Sequence, residues 1–128
     1  MNIKKVSQLV SLSSETIRYY EKIGLLPKVE RNHSGFRDFK EDDIARLKFI
    51  TCFRNAGISI ERLTEYLKLV DKGPETISDR IHILETEKEK LIKKQTELDN
   101  AIKTLDFKIK NYKESIESIE EHLFYSTD

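Results

Sequence analysis

Residues Ser11 to Phe39, SLSSETIRYYEKIGLLPKVERNHSGFRDF, decide how the chain is read. Ser13 is a good N-cap, and Ser14, Glu15 and Thr16 form the first turn of a basic, aromatic helix running to about Ile23. Gly24 suits the position just past a helix end, and Pro27 confirms the stop. Val29 to Phe39 then alternate loosely around Asn32-His33-Ser34-Gly35, with an Arg on each arm, which predicts a small hairpin. Capped helix, punctuated connection and hairpin are the parts of a winged helix-turn-helix. That arrangement lays one helix in a DNA major groove and a loop beside it.

The flanks extend the pattern. Upstream, Ile3 opens a short segment with Val6, Leu9 and Val10 at helical spacing, which Ser11-Leu12-Ser13 interrupts. Downstream, a third helix spans about Glu41 to Ala56 and ends at Gly57, although its N-cap position falls on Lys40, a poor capping residue. Ser59 caps a fourth, which carries Ile60, Leu63, Leu67 and Val70 to Gly73-Pro74. From Ile77 to Leu123 the spacing alternates four and three across fourteen seam positions, twelve of them Ile, Leu or Tyr and two, Lys88 and Gln95, polar. A strict 3.5-residue repeat imposes a supercoil and cannot bury its stripe alone. At 1.5 Å per residue the helix is roughly 70 Å long, beyond any small domain. Its stripe needs a partner, most simply a second copy, with Ile81, Leu84, Leu91, Leu98, Ile102, Leu105, Ile109 and Tyr112 as the dimerisation residues. Lys88 and Gln95 either fix the register or mark where the helix leaves its coil partner. The expected fold is mainly α: a winged helix-turn-helix domain over residues 1–72, then a long coiled-coil dimerisation helix over residues 75–125.

Composition narrows the function. The chain has 128 residues, 38% hydrophobic and 36% charged, which fits a helix-rich globular protein. No unbroken apolar run approaches a membrane span and no leader precedes the first helix, so neither membrane nor secretion is expected. A single cysteine excludes an intrachain disulfide and fits a reducing cytoplasm. The formal charge of zero conceals a partition. Residues 1–40 hold eight Lys/Arg against four Asp/Glu, residues 41–74 six of each, and residues 75–128 nine against thirteen. The positive field sits on the segment with the recognition helix.

A recognition helix turns its first residues to base edges and its flanks to phosphates. That places Ser14, Glu15, Thr16 and Arg18 toward the groove and lets Tyr19 reach a phosphate, while Ile17, Tyr20, Ile23 and Leu25 pack inward. Half-burial of Tyr19 and Tyr20 is the alternative for both rings. Arg18 is the strongest candidate, because a guanidinium bonds bidentately to guanine or phosphate. In the wing, Arg31 and Arg37 flank a tip of backbone amides and short polar side chains. The DNA-binding set is Ser14, Thr16, Arg18, Tyr19, Arg31, Asn32, Gly35, Phe36 and Arg37. His33 is an isolated loop residue, and His82 and His122 lie 40 positions apart on the coil, so no metal site is expected. No cofactor is expected either. No Ser/His/Asp or Cys/His arrangement is spaced for nucleophilic catalysis and no glycine loop cradles phosphate, which argues against an enzyme.

TIRYYEKIGLL, SGFRDF, EDDIARL and AGISIERL together resemble the MerR family of transcription regulators throughout the first seventy or so residues, and the long helix resembles that family's antiparallel dimerisation helix. The resemblance implies a homodimer on double-stranded promoter DNA whose spacer is too long for RNA polymerase. An effector then makes the protein bend and untwist that DNA until the two promoter boxes align. Four positions depart from the family pattern: Glu15 where many members are basic, Phe36 and Phe39 where Tyr is common, and Lys40 at the cap.

Metal-sensing members carry cysteines at the start of the dimerisation helix and in a loop after it, which this chain lacks; drug-sensing members append a ligand domain, and this chain ends at Asp128. What remains is Cys52 in FITCFRNAGIS, which resembles the aldehyde- and thiol-stress-responsive branch (the AdhR/NmlR-like group). Lys48 stands one turn before Cys52 and Arg54 is near in sequence; a nearby cation favours the thiolate that attacks electrophiles. The competing reading of Cys52 is a small buried hydrophobe. The functional expectation is an activator that senses a reactive aldehyde or oxidant at Cys52. One alternative is a regulator with a non-covalent effector or none. Another is a coiled-coil adaptor whose small domain binds protein, against which the charge on residues 1–40 speaks.

Overall fold

The structure is a computed structural model that describes the backbone of residues 1–125 and the side chains of residues 1–117 and Glu120. Among the described residues five α-helices follow in order: α1 (Ile3–Val10), α2 (Ser14–Lys22), α3 (Glu41–Asn55), α4 (Ile60–Lys72) and α5 (Ile77–Tyr125), with a 3₁₀ turn over Pro74–Thr76 before the last. The mainly helical fold and the long final helix follow the sequence reading. Seam positions Ile119 and Leu123, together with His122, lie outside the described side chains.

The local signals act as their chemistry dictates. Ser13 Oγ accepts from the Thr16 amide at 3.0 Å, and Ser59 Oγ from the Arg62 amide at 3.1 Å. Lys40 has no acceptor to offer, and α3 is capped from inside instead: Asp43 accepts from the Lys40 amide at 2.9 Å. Ser11 closes the α1–α2 turn in a left-handed conformation (φ 56°), with the Ser7 hydroxyl donating to the Leu12 carbonyl.

The chain divides into two compact units, Met1–Glu87 and the remainder from Lys88. The first holds the core. Val6 and Val10 of α1, Ile17 and Tyr20 of α2, Leu25, Leu26 and Val29 of the connection, Phe39 at the end of the wing, Leu47 and Ile50 of α3, and Leu63 and Leu67 of α4 are all buried together. Leu9, which shares the helical spacing of Val6 and Val10, is 50% exposed, while Ile3 of α1 packs against the edge of the core. Arginines staple the elements. Arg46 of α3 makes a bidentate bond to Asp71 of α4 at 2.9 and 3.0 Å, while its Nε donates to the Leu25 carbonyl at 3.1 Å. Arg62 of α4 donates to Glu87 at 3.0 Å, and Arg80 donates to the Gly73 carbonyl at 2.7 Å.

The second unit is the body of α5. Its seam residues Leu98, Ile102, Leu105, Ile109, Tyr112 and Ile116 are exposed. Leu91 of this unit is half-buried, and in the first unit Ile77, Ile81 and Leu84 of the same stripe are exposed too. Ile92 and Phe107, off the seam, are also exposed. Among the described residues no helix is long and apolar enough to cross a membrane.

Candidate nucleic-acid interface

The α2 face divides by its helical period. Ile17 and Tyr20 point into the core, whereas Arg18 and Tyr19 are exposed, Tyr19 to 50%. This separates the two adjacent tyrosines into one core ring and one surface ring, 6.3 Å apart. Ser14 and Thr16 are half-buried at the N-terminal turn, where the Thr16 hydroxyl lies 2.8 Å from that of Ser13.

The wing is a turn closed by one antiparallel bridge, Arg31 to Arg37, with no extended strands among the described residues. Asn32 builds its tip. The Asn32 amide donates to the Phe36 carbonyl at 2.8 Å and its carbonyl accepts from Gly35 at 3.0 Å. The Asn32 side chain accepts from the amides of Ser34 and Phe36 at 3.0 and 3.1 Å. Gly35 takes φ +83°, a left-handed value that a side chain would strain. The amides of Ser34, Gly35 and Phe36 are thus committed within the turn, and Arg31 Nη1 donates to the Gly35 carbonyl at 3.0 Å. At the base, Asp38 donates its amide to the Glu30 carbonyl at 2.8 Å. The Lys40 ammonium, then the N-terminal ammonium of Met1, hold the Asp38 carboxyl at about 2, against an ordinary 3.8.

Helix and wing meet in a cleft of about 450 Å³ lined by Asn2, Ile3, Lys4, Arg18, Arg31, Asn32, Phe36 and Arg37. Five of the nine residues assigned to DNA from the sequence line it; Phe36, 69% exposed, stands on its wing side. Ser14, Thr16, Tyr19 and Gly35 do not line it. Asn2 and Lys4, which the sequence reading passed over, join the group from the start of α1. A lysine in the first turn of a helix beside the recognition helix was the available signal.

Arg37 is placed differently from its neighbours. It is half-buried, and its Nε and Nη2 donate to Oε1 of Glu21 at 3.1 and 2.9 Å. Burial pushes the Glu21 carboxyl up, but the Val29 amide and the Arg37 guanidinium outweigh it and hold the group below the ordinary 4.5. The sequence reading gave Glu21 no role, although an acid one turn beyond Arg18 on a DNA-facing helix needs a reason.

Cys52 is a free, exposed thiol on α3 rather than part of the core. Lys48, one turn earlier, is exposed as well, and Arg54 is tied to the Ile58 carbonyl at 2.8 Å. Nearby, Phe49 packs against Phe53 and stacks on Tyr66 with ring centroids 4.5 and 5.4 Å apart. Among the described residues no group of three His, Cys, Asp or Glu side chains could hold a metal ion.

Comparison with known proteins agrees with this geometry. Residues 1–69 match the MerR HTH family regulatory protein model, and residues 44–107 match the model described as MerR, DNA binding. The chain is 48% identical over 92 residues to the HTH-type transcriptional regulator AdhR of Bacillus subtilis, a match covering 72% of this chain and 66% of AdhR. It is 36% identical to the HTH-type transcriptional regulator YyaN of the same organism, over 91% of this chain and 96% of YyaN. Among solved structures, a MerR family transcriptional regulator from Listeria monocytogenes superposes with a TM-score of 0.88 at 39% identity, covering 96% of this chain and 93% of that one. HiNmlR, a MerR family regulator lacking the sensor domain and bound to promoter DNA, superposes at 0.80 with 27% identity, covering 89% and 90%. The fold, the basic helix-and-wing surface and these matches lead to one conclusion: the chain belongs to the MerR family of DNA-binding transcriptional regulators, and it is not an enzyme.

Proposed function

We propose that the protein is a homodimer that grips a promoter spacer with two copies of its helix-and-wing surface and activates transcription by distorting the DNA under electrophile or thiol stress sensed at Cys52. The observation that carries the DNA part is the cleft joining Lys4 and Arg18 to Arg31 and Phe36. Ser14, Thr16 and Tyr19 extend that surface along α2, and Asn32 and Gly35 shape the wing tip. HiNmlR on promoter DNA supports the same use of the fold. The reading head takes residues 1–72 and the dimerisation helix residues 75–125, paired antiparallel along the exposed Ile and Leu stripe. Rigidly coupled heads are what deformation-based readout needs, because bending a short duplex costs several kcal/mol, of order 1–6. RNA polymerase at the realigned promoter is the downstream partner, and the cytoplasm the compartment.

The exposed thiol of Cys52 supports the sensing part of this reading. Thiolate attack on an aldehyde carbon makes a C–S bond as the C=O π bond opens, and the resulting alkoxide takes a proton from water to give a thiohemiacetal. The added bulk on α3 shifts how the head packs in the dimer. A second reading, a non-covalent effector, is favoured by a groove of about 590 Å³ between α4 and the first turns of α5, lined by Arg62, Lys68, Lys72, Asp79 and His82 among others. In vitro transcription with a short aldehyde separates the two. Loss of response in Cys52→Ala supports covalent sensing; a parental response in that variant eliminates it and directs attention to the groove.

A further inference from the structure

Glu21 ties the recognition helix to both arms of the wing. Its Oε1 accepts from Arg37 Nε and Nη2 at 3.1 and 2.9 Å, and its Oε2 accepts from the Val29 amide at 2.8 Å. Val29 enters the wing and Arg37 lies on the return arm, across the bridge from Arg31. The side chains of Glu21 and Arg37 are only 12% and 20% exposed, so this contact is more shielded from solvent than a surface ion pair.

The position makes the pair informative. Glu21 is three residues beyond Arg18 on α2, and its carboxylate lies close to a surface that would oppose a polyanion. Coulomb attraction to DNA alone would disfavour an acid there. What the acid provides is geometry: two charge-assisted bonds to one guanidinium and a third to backbone define where the wing stands against α2.

We propose that Glu21 is the positioning residue of the DNA-reading surface, and that Arg37 acts through Glu21, holding the wing so that Arg31 and Phe36 lie beside Arg18, instead of contacting a phosphate. The inference rests on the DNA-binding reading above, and its test keeps the two apart.

The test is a double-mutant cycle on DNA affinity, measured by fluorescence anisotropy with a labelled duplex of about three helical turns across a salt series. Glu21→Ala removes a negative charge, so electrostatics alone predicts tighter binding. The positioning role predicts binding about tenfold weaker, with a salt slope shallower by about 0.9 for every phosphate contact the displaced wing loses. Glu21→Gln, which keeps one acceptor for Arg37, is expected within about threefold of the parent. Arg37→Ala should match Glu21→Ala, and the double variant should be no weaker than either, because both remove one device. Parental or tighter binding by Glu21→Ala, or losses that add in the double variant, overturns the proposal. Should Glu21→Ala fail to melt cooperatively, Glu21→Asp keeps the charge but stops one methylene short. A loss of about fivefold or more is then expected, and parental affinity overturns the proposal. A parent that does not bind the duplex overturns the DNA-reading surface itself, and the inference with it.

Discussion

The reading head and the body of α5 draw on the same aliphatic residues and use them in opposite ways. In the head, Ile17, Leu25, Leu26, Leu47 and Ile50 are fully buried, and Arg46 and Arg62 bind carboxylates within the same unit. Beyond Lys88, Leu98 is 63% exposed and Leu105 61%, although their spacing is as regular as any in the chain. A short amphipathic helix in a bundle meets neighbours; along a 49-residue helix, most of the described apolar stripe is exposed in one chain. The head therefore covers its own apolar residues, whereas the described stripe of α5 stays uncovered in one chain, which is why we propose it as a pairing face.

The largest effect that would break this contrast is at the stripe. Leu98→Glu or Leu105→Glu puts a charge where the pairing face should be buried, at a cost of several kcal/mol, roughly 2–7. Sedimentation equilibrium should show a monomer with an intact head, and DNA affinity should fall by roughly a hundredfold or more as the heads uncouple. A variant that remains dimeric would locate the interface elsewhere.

The head is sharpened by a smaller change. Arg46→Ala leaves the Leu25 carbonyl without its guanidinium donor and Asp71 without a cation. Asp71 is half exposed, so the cost is the carbonyl plus a partly screened ion pair, about 2 kcal/mol. Thermal denaturation of the head should move down by about 10 °C with the oligomeric state unchanged.

The weakest lever is pH. Burial opposes ionisation of Glu21, but its Val29 and Arg37 bonds hold its folded value below the ordinary 4.5, and Asp38 sits at about 2 against 3.8. A carboxyl depressed on folding stabilises above its unfolded value and loses that contribution as pH falls through the folded one. Melting temperature should be flat from about pH 7 to 5, then fall from about pH 4.5 toward 2. In Glu21→Gln the upper part of that acid limb should be shallower.

The contrast also separates what was legible in the sequence from what was not. Ser13, Ser59 and Gly24 act within a turn of themselves, so their roles could be read locally. The seam could be read because its period is a property of one helix. Asp43 was a missed local signal: with Lys40 unable to accept, an acid three residues on is the remaining cap. The clamps were out of reach. Arg37 pairs with Glu21 sixteen residues away and Arg46 with Asp71 twenty-five away, distances at which no periodicity reports. A guanidinium binds carboxylate and phosphate with the same fork, so Arg37 in a wing carries no mark of which it holds.

Whether the α2–wing surface reads DNA is decided by how affinity depends on salt for the parent and for Arg18→Ala. The parent should bind duplex DNA with log affinity falling steeply as log salt rises. Arg18→Ala should bind about ten- to a hundredfold more weakly at an unchanged melting temperature. A parental slope near zero, or an Arg18→Ala variant indistinguishable from the parent, would mean that this surface does not read DNA.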